Sequence, residues 1–129
     1  LVEHRLAGYR RDLPDISTRS PDDAAAVMFG HLLTIPPTDR RIVRLLVADI
    51  GFRALDRVRE RFRADELARW QPHGRPSPSS PAATSAMWAA TSALLALADD
   101  VSTGRIPEAE ATSMAVAIVN AASGRRRPG

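Results

Sequence analysis

Apolar positions recur with helical spacing along almost the whole chain. Val2, Leu6, Tyr9 and Leu13 fall at i, i+4, i+7 and i+11, lining one stripe of a first helix that Pro14 stops. Ser20-Pro21-Asp22-Asp23 reads as a helix start, with a hydroxyl N-cap, proline at N1 and carboxylates where the helix dipole favours them. The second helix carries Ala25, Met28, Phe29 and Leu32 on one face and ends before Pro36-Pro37. Thr38 is expected to cap a third segment reaching to about Trp70. Its first half, Ile42 to Phe52, is apolar nearly all round, as for a helix covered on several sides. Its second half is amphipathic, with Leu55, Val58 and Phe62 opposite Arg53, Asp56, Arg57, Glu60 and Arg63. Unbroken, such a segment of about 32 residues would run about 48 Å, so a bend or break is expected near Gly51 or Asp65.

Residues 71–82 hold four of the ten prolines and read as a loop, with Ser80-Pro81 restarting helix. From Ala82 to Ala98 there is no charged residue. Gly104 followed by Ile106 predicts a glycine C-cap. Pro107, Glu108 and Glu110 open a last helix, on which Ala111, Met114, Ala115, Ile118, Val119 and Ala122 share a face before Gly124 ends it. No strand pattern competes, so the predicted fold is all-α, a bundle of about five or six helices. It forms one helical domain over residues 1–124, with 125–129 as a disordered basic tail.

The two C-terminal helices are built largely of Ala, Thr and Ser, punctuated by larger apolar residues. Uncharged surface on almost every side exceeds what one neighbouring layer covers, and a partner surface is implied. The economical solution is an isologous four-helix interface with a second copy, using Leu94, Leu95, Ala111, Met114, Ala115, Ile118 and Val119. On that reading Ala115→Arg gives monomers. The alternative is a hairpin buried inside one chain.

Composition adds limits rather than a function. The 129 residues are 44% hydrophobic and 26% charged, with no cysteine, which removes disulfides and thiolate chemistry. No apolar run is long enough to span a bilayer and no leader pattern opens the chain, so a cytoplasmic protein is expected, not a membrane one. The chain starts on Leu1, which reads as a piece of a longer protein. All 18 basic residues are arginine and the pI is about 10.8. Arg125, Arg126 and Arg127 account for the net +3, leaving a formally neutral body, so the basic pI is no argument for nucleic acid. The nine arginines between Arg40 and Arg69 are mixed with Asp49, Asp56, Glu60, Asp65 and Glu66, with Asp49–Arg53 and Glu60–Arg63 at pairing distance along a helix, and read as a solvated face.

Candidate chemistry is sparse. His4, His31 and His73 have no metal-ligand spacing. His4 and His73 read as solvated, and His31, beside Met28, Phe29 and Leu32, reads as a core or boundary histidine and the best polar candidate for a ligand contact. Adjacent Asp99 and Asp100 diverge by about 100° on a helix and read as a solvated helix end. No nucleophile motif or phosphate loop occurs, so neither an enzyme nor a cofactor or metal is expected.

The C-terminal pattern resembles a known family. Gly74-Arg75 before the loop, Met87-Trp88-Ala89-Ala90 with Leu94-Leu95-Ala96-Leu97-Ala98-Asp99, then Gly104-Arg105 and Ala115-Val116-Ala117-Ile118-Val119, resemble the ligand-binding and dimerisation domain of TetR-type transcriptional regulators. Leu1 to Leu6 resembles the helix following that family's helix-turn-helix, which these residues lack. The resemblance implies a homodimer through the last two helices, a small-molecule effector cavity, and DNA contact only through the absent module. Helix packing would line the cavity with Met28, Phe29, Leu32, Ile50, Phe52, Trp88 and Thr91, with His31 supplying polarity, which suits a small hydrophobic effector. A standalone homodimerisation module without a ligand is the alternative.

Overall fold

The computed structural model describes residues 13–47, 53–70 and 81–123, together with Leu6, Tyr9, Arg10 and His73. Among the described residues it is an all-α bundle of five helices, α1 (Pro21–Thr34), α2 (Pro37–Val47), α3 (Asp56–Trp70), α4 (Pro81–Ser102) and α5 (Glu108–Ala122), with a 3-10 turn, Arg53–Leu55, leading into α3. No strand occurs among the described residues. Of the expected first helix, Leu6, Tyr9 and Arg10 are helical, and Leu6 and Tyr9 are buried. Val2, His4, the tail from Gly124 onward and most of the proline-rich loop lie outside the described residues.

Local chemistry accounts for most boundaries. The Ser20 hydroxyl accepts from the Asp23 amide at 3.2 Å and Pro21 sits in the first turn of α1, as its start signal predicts. At the next helix the expected cap is displaced. The Pro36 carbonyl, not a Thr38 cap, receives the first bonds, from Asp39 (2.9 Å) and Arg40 (3.0 Å). Pro37 enters the first turn without loss because it has no amide to leave unpaired. Within the described residues the expected long segment is interrupted by the 3-10 turn Arg53–Leu55 ahead of α3, and Asp65 lies inside the continuous α3. Gly51 itself is outside the described residues. Nor is α2 covered on several sides. Val43, Leu46 and Val47 are buried, whereas Leu45 is 37% exposed.

The turn from α4 to α5 closes as the glycine signal predicts. Gly104 adopts φ +76°, and the Arg105 amide reaches back to the Asp100 carbonyl at 2.8 Å while Gly104 bonds Val101 at 3.1 Å. This is the paired 6→1 and 5→2 pattern that satisfies the last carbonyls of a helix. The resulting hairpin dominates the packing. α4 lies against α5, α1 and α2, and α5 also packs on α1. The buried stripe of α5 is Ala111, Ala115 and Val119, small enough for neighbouring helices to approach closely. Phe29, Phe62, Leu46, Met87 and Leu95 are the large side chains at the centre.

Arginines seal the helix ends from outside. At the C-terminus of α1, Arg40 of α2 donates through Nη1 to the carbonyls of Leu32 (3.4 Å) and Ile35 (2.8 Å). Its Nε reaches Asp99 Oδ1 at 2.9 Å and its Nη2 reaches Ser102 Oγ at 2.9 Å, both on α4. At the C-terminus of α2, Arg63 of α3 donates to the carbonyls of Leu46 (3.4 Å) and Val47 (3.0 Å), and Arg59 to that of Leu45 (3.5 Å). Cationic donors there satisfy orphan carbonyls and oppose the negative end of the helix dipole. The expected solvated face holds at Arg41, Arg53, Arg57 and Arg61, which are exposed, and is corrected at the residues that seal helix ends. Arg40 and Arg59 are buried, and Arg63 and Arg69 half-buried, because the forked guanidinium carries several donors to more than one acceptor. Asp99 is likewise no merely solvated helix end, since it takes Arg40 on one oxygen and Arg44 on the other. Among the described residues no helix is long and apolar enough to cross a membrane.

Candidate functional site

The residues expected to line one cavity fall in three places. Met28, Phe29 and Leu32 are buried in the common core. His31 is buried as well, donating Nε2–H to the Tyr9 carbonyl at 3.1 Å with its ring 5.2 Å from the Tyr9 ring. That contact fixes the proton on Nε2, because a carbonyl can only accept. One side of His31 also lines an open groove of about 440 Å³ with Pro14, Val27, Gly30 and Thr34. Trp88 lines a different open groove, of about 300 Å³, with Val47, Arg63, Ser85, Ala89 and Ser92. There the Arg63 guanidinium carbon lies 5.2 Å from the Trp88 ring centroid, a cation–π arrangement. Thr91 is half-buried and returns its hydroxyl to the Met87 carbonyl at 3.0 Å. Ile50 and Phe52 lie outside the described residues. Among the described residues, His31 and Trp88 thus line different grooves.

The residues expected at a dimer interface divide differently. Leu94, Leu95, Ala111, Ala115 and Val119 are buried within the single chain, where α1, α4 and α5 cover one another. Ile118 is half-buried, and Met114 is 40% exposed. What faces outward on α4 is an alanine series at i, i+4, i+7, i+11 and i+14. Ala82, Ala89 and Ala96 are exposed and Ala86 and Ala93 half-buried. On α5 the outward positions are Met114, Ala117 and Ala121. Of the stripe that periodicity selects on α5, only Met114 is exposed, and the small residues left outward are Ala117 and Ala121.

A buried polar cluster was not anticipated. Glu66 of α3 is 5% exposed, paired with Arg69 and accepting the Tyr9 hydroxyl at 3.3 Å. Burial raises its pKa above the ordinary carboxyl value, against the opposing pull of Arg69. The Tyr9 phenol is pushed well above its usual value, first by burial and then by the Glu66 charge. His73, expected to be solvated, is also buried. Its Nε2–H donates to the Ile16 carbonyl at 2.7 Å and its ring packs edge-on against Trp70, 5.8 Å between centroids. A histidine in a proline-rich stretch gives no such signal in sequence, because its partner is a backbone carbonyl 57 residues away. Among the described residues, no three His, Cys, Asp or Glu side chains gather so as to hold a metal ion.

No family model matches the chain, and neither a characterised protein nor a solved structure matches it.

Proposed function

We propose that this chain is a helical homodimerisation module that pairs with a second copy through the outward face of α4 and α5. The observation that carries this reading is the exposed, uncharged set of Ala82, Ala89 and Ala96 on α4 with Met114, Ala117 and Ala121 on α5. Small side chains there allow close helix approach, and the charges in register with these faces, Asp100 on α4 and Glu110 on α5, stand only at their ends beside the α4–α5 turn. A TetR-type effector domain is the architecture that the helix order resembles. In that setting the pair joins two regulators, and DNA contact comes from a helix-turn-helix outside these 129 residues. A small-molecule role draws on one feature, the Trp88 groove, whose aromatic wall would take a flat, largely apolar effector.

The test is sedimentation. The parent chain is expected as a dimer, and Ala117→Arg or Ala89→Arg as a monomer with unchanged helical signal. A parent that sediments as a monomer at about 100 μM, a concentration at which a micromolar dimer is nearly fully formed, overturns the reading. Ala115→Arg is unsuitable, since that side chain would enter the core between helices. Ligand at the Trp88 groove would alter the emission of Trp88, with Trp88→Phe as control for Trp70.

A further inference from the structure

The groove beside Trp88 has a property besides its aromatic wall: the polar side chains that line it are hydrogen-bond donors. Ser85, Trp88 and Ser92 stand at i, i+3 and i+7, along one side of α4. The other serine and threonine hydroxyls of α4 and α5 turn back onto a backbone carbonyl three or four residues earlier. Thr84 bonds Pro81, Thr91 bonds Met87, Ser102 bonds Ala98, Thr112 bonds Glu108 and Ser113 bonds Ala109. Ser85 and Ser92 make no such bond, and their hydroxyls are left to whatever enters the groove. On the α3 side stands Arg63, which keeps its bonds to the Leu46 and Val47 carbonyls and holds its guanidinium 5.2 Å from the indole centroid. Among the described residues no carboxylate lines this groove.

We propose that the Trp88 groove binds a small aromatic carboxylate, its ring against the indole and its carboxylate accepting from Ser85 and Ser92, with Arg63 supplying charge of the matching sign.

The inference rests on the small-molecule reading of this groove and narrows its occupant from a flat, largely apolar molecule to an acid. A hydrocarbon would strip water from both hydroxyls and return nothing to them, which costs free energy. A carboxylate only accepts, and has room for about four bonds, so it suits a wall of donors. Bonds to an ionised acceptor are also stronger than bonds to a neutral one. A cationic ligand would meet Arg63 as a like charge. The volume, about 300 Å³, lies at the small end of ligand sites and limits the occupant to one or two rings.

Nitrogen-15 NMR titration of the full chain with 2-naphthoate, and separately with the neutral 2-naphthamide, tests this. Each probe is taken to about 5 mM, enough to show a millimolar site. The signals read are the Trp88 indole N–H, assigned with Trp88→Phe, and the amides of Ser85 and Ser92. Saturable shifts at all three are expected with the acid, and binding of the amide about tenfold weaker. In the double variant Ser85→Ala, Ser92→Ala, the acid is expected to fall to about the affinity of the amide. Alanine at these helical positions favours the fold, so the variant reports on binding. Equal binding of acid and amide, or an unchanged affinity for the acid in the double variant, overturns the carboxylate and leaves an aromatic groove standing. No saturable shift of the Trp88 indole with either probe overturns both.

Discussion

Replacing Arg40 with methionine keeps most of the aliphatic stem and removes the guanidinium that joins three helices. The side chain is 3% exposed and makes four hydrogen bonds, to Asp99, Ser102 and the carbonyls of Leu32 and Ile35. Not all of that is lost as stability, because burying the charge has its own cost of several kcal/mol, which methionine avoids. Asp99 is 40% exposed and keeps Arg44, so it rehydrates cheaply. The uncompensated loss lies at the two α1 carbonyls, each costing about 1–3 kcal/mol when left buried without a donor. The net cost is then about 3 kcal/mol, and a domain of this size loses about 3–4 °C per kcal/mol, so Tm falls by about 10 °C. Arg44→Met is the control. That side chain is 42% exposed and reaches only the second Asp99 oxygen, at 3.3 Å, so its loss costs about 0–1 kcal/mol. Arg40→Lys keeps the charge but not the fork, and falls between the two, at about 2 kcal/mol. Urea unfolding followed by helical circular dichroism measures all three. If Arg40→Met lies within about 1 kcal/mol of Arg44→Met, roughly the ceiling for an exposed pair, the clamp reading is wrong.

Smaller perturbations test the helix ends. Ser20→Ala removes the acceptor for the Asp23 amide and is expected to cost about 1 kcal/mol by the same unfolding assay. Gly104→Ala meets no atom within 4 Å, so its cost is purely that of φ +76°, about 1–2 kcal/mol, and no loss of stability would contradict the capped turn. Ala115→Arg is expected to lose cooperative folding altogether, whereas Ala117→Arg keeps the parent Tm at low protein concentration.

Features set by neighbours in sequence were legible, and features set by neighbours in space were not. Ser20 and Gly104 act through bonds within five residues, so their roles can be read from a few letters. The α5 stripe of Ala111, Ala115 and Val119 was legible as a buried face, but periodicity does not say whether the same chain or another covers it. α1 and α4 supply that cover, which moves the candidate pairing surface to Met114, Ala117 and Ala121. Arg40, Arg59, Glu66 and His73 carry the letters of a solvated surface, and only tertiary partners make them interior groups. The placing of the effector candidates depends on tertiary neighbours in the same way. His31 and Trp88 each sit on an apolar helix face, yet those faces turn toward different grooves.

The arginine seals link the helices in a sequence of dependence. The end of α2 is closed from α3, the end of α1 is closed from α2, and the closing residue of α1 is itself anchored on α4. Fraying at the end of α1 or α2 therefore means withdrawing a donor that belongs to another helix. Such a bundle has little freedom to come apart one element at a time, and the last turns of α1 and α2 are expected to melt with the whole rather than ahead of it.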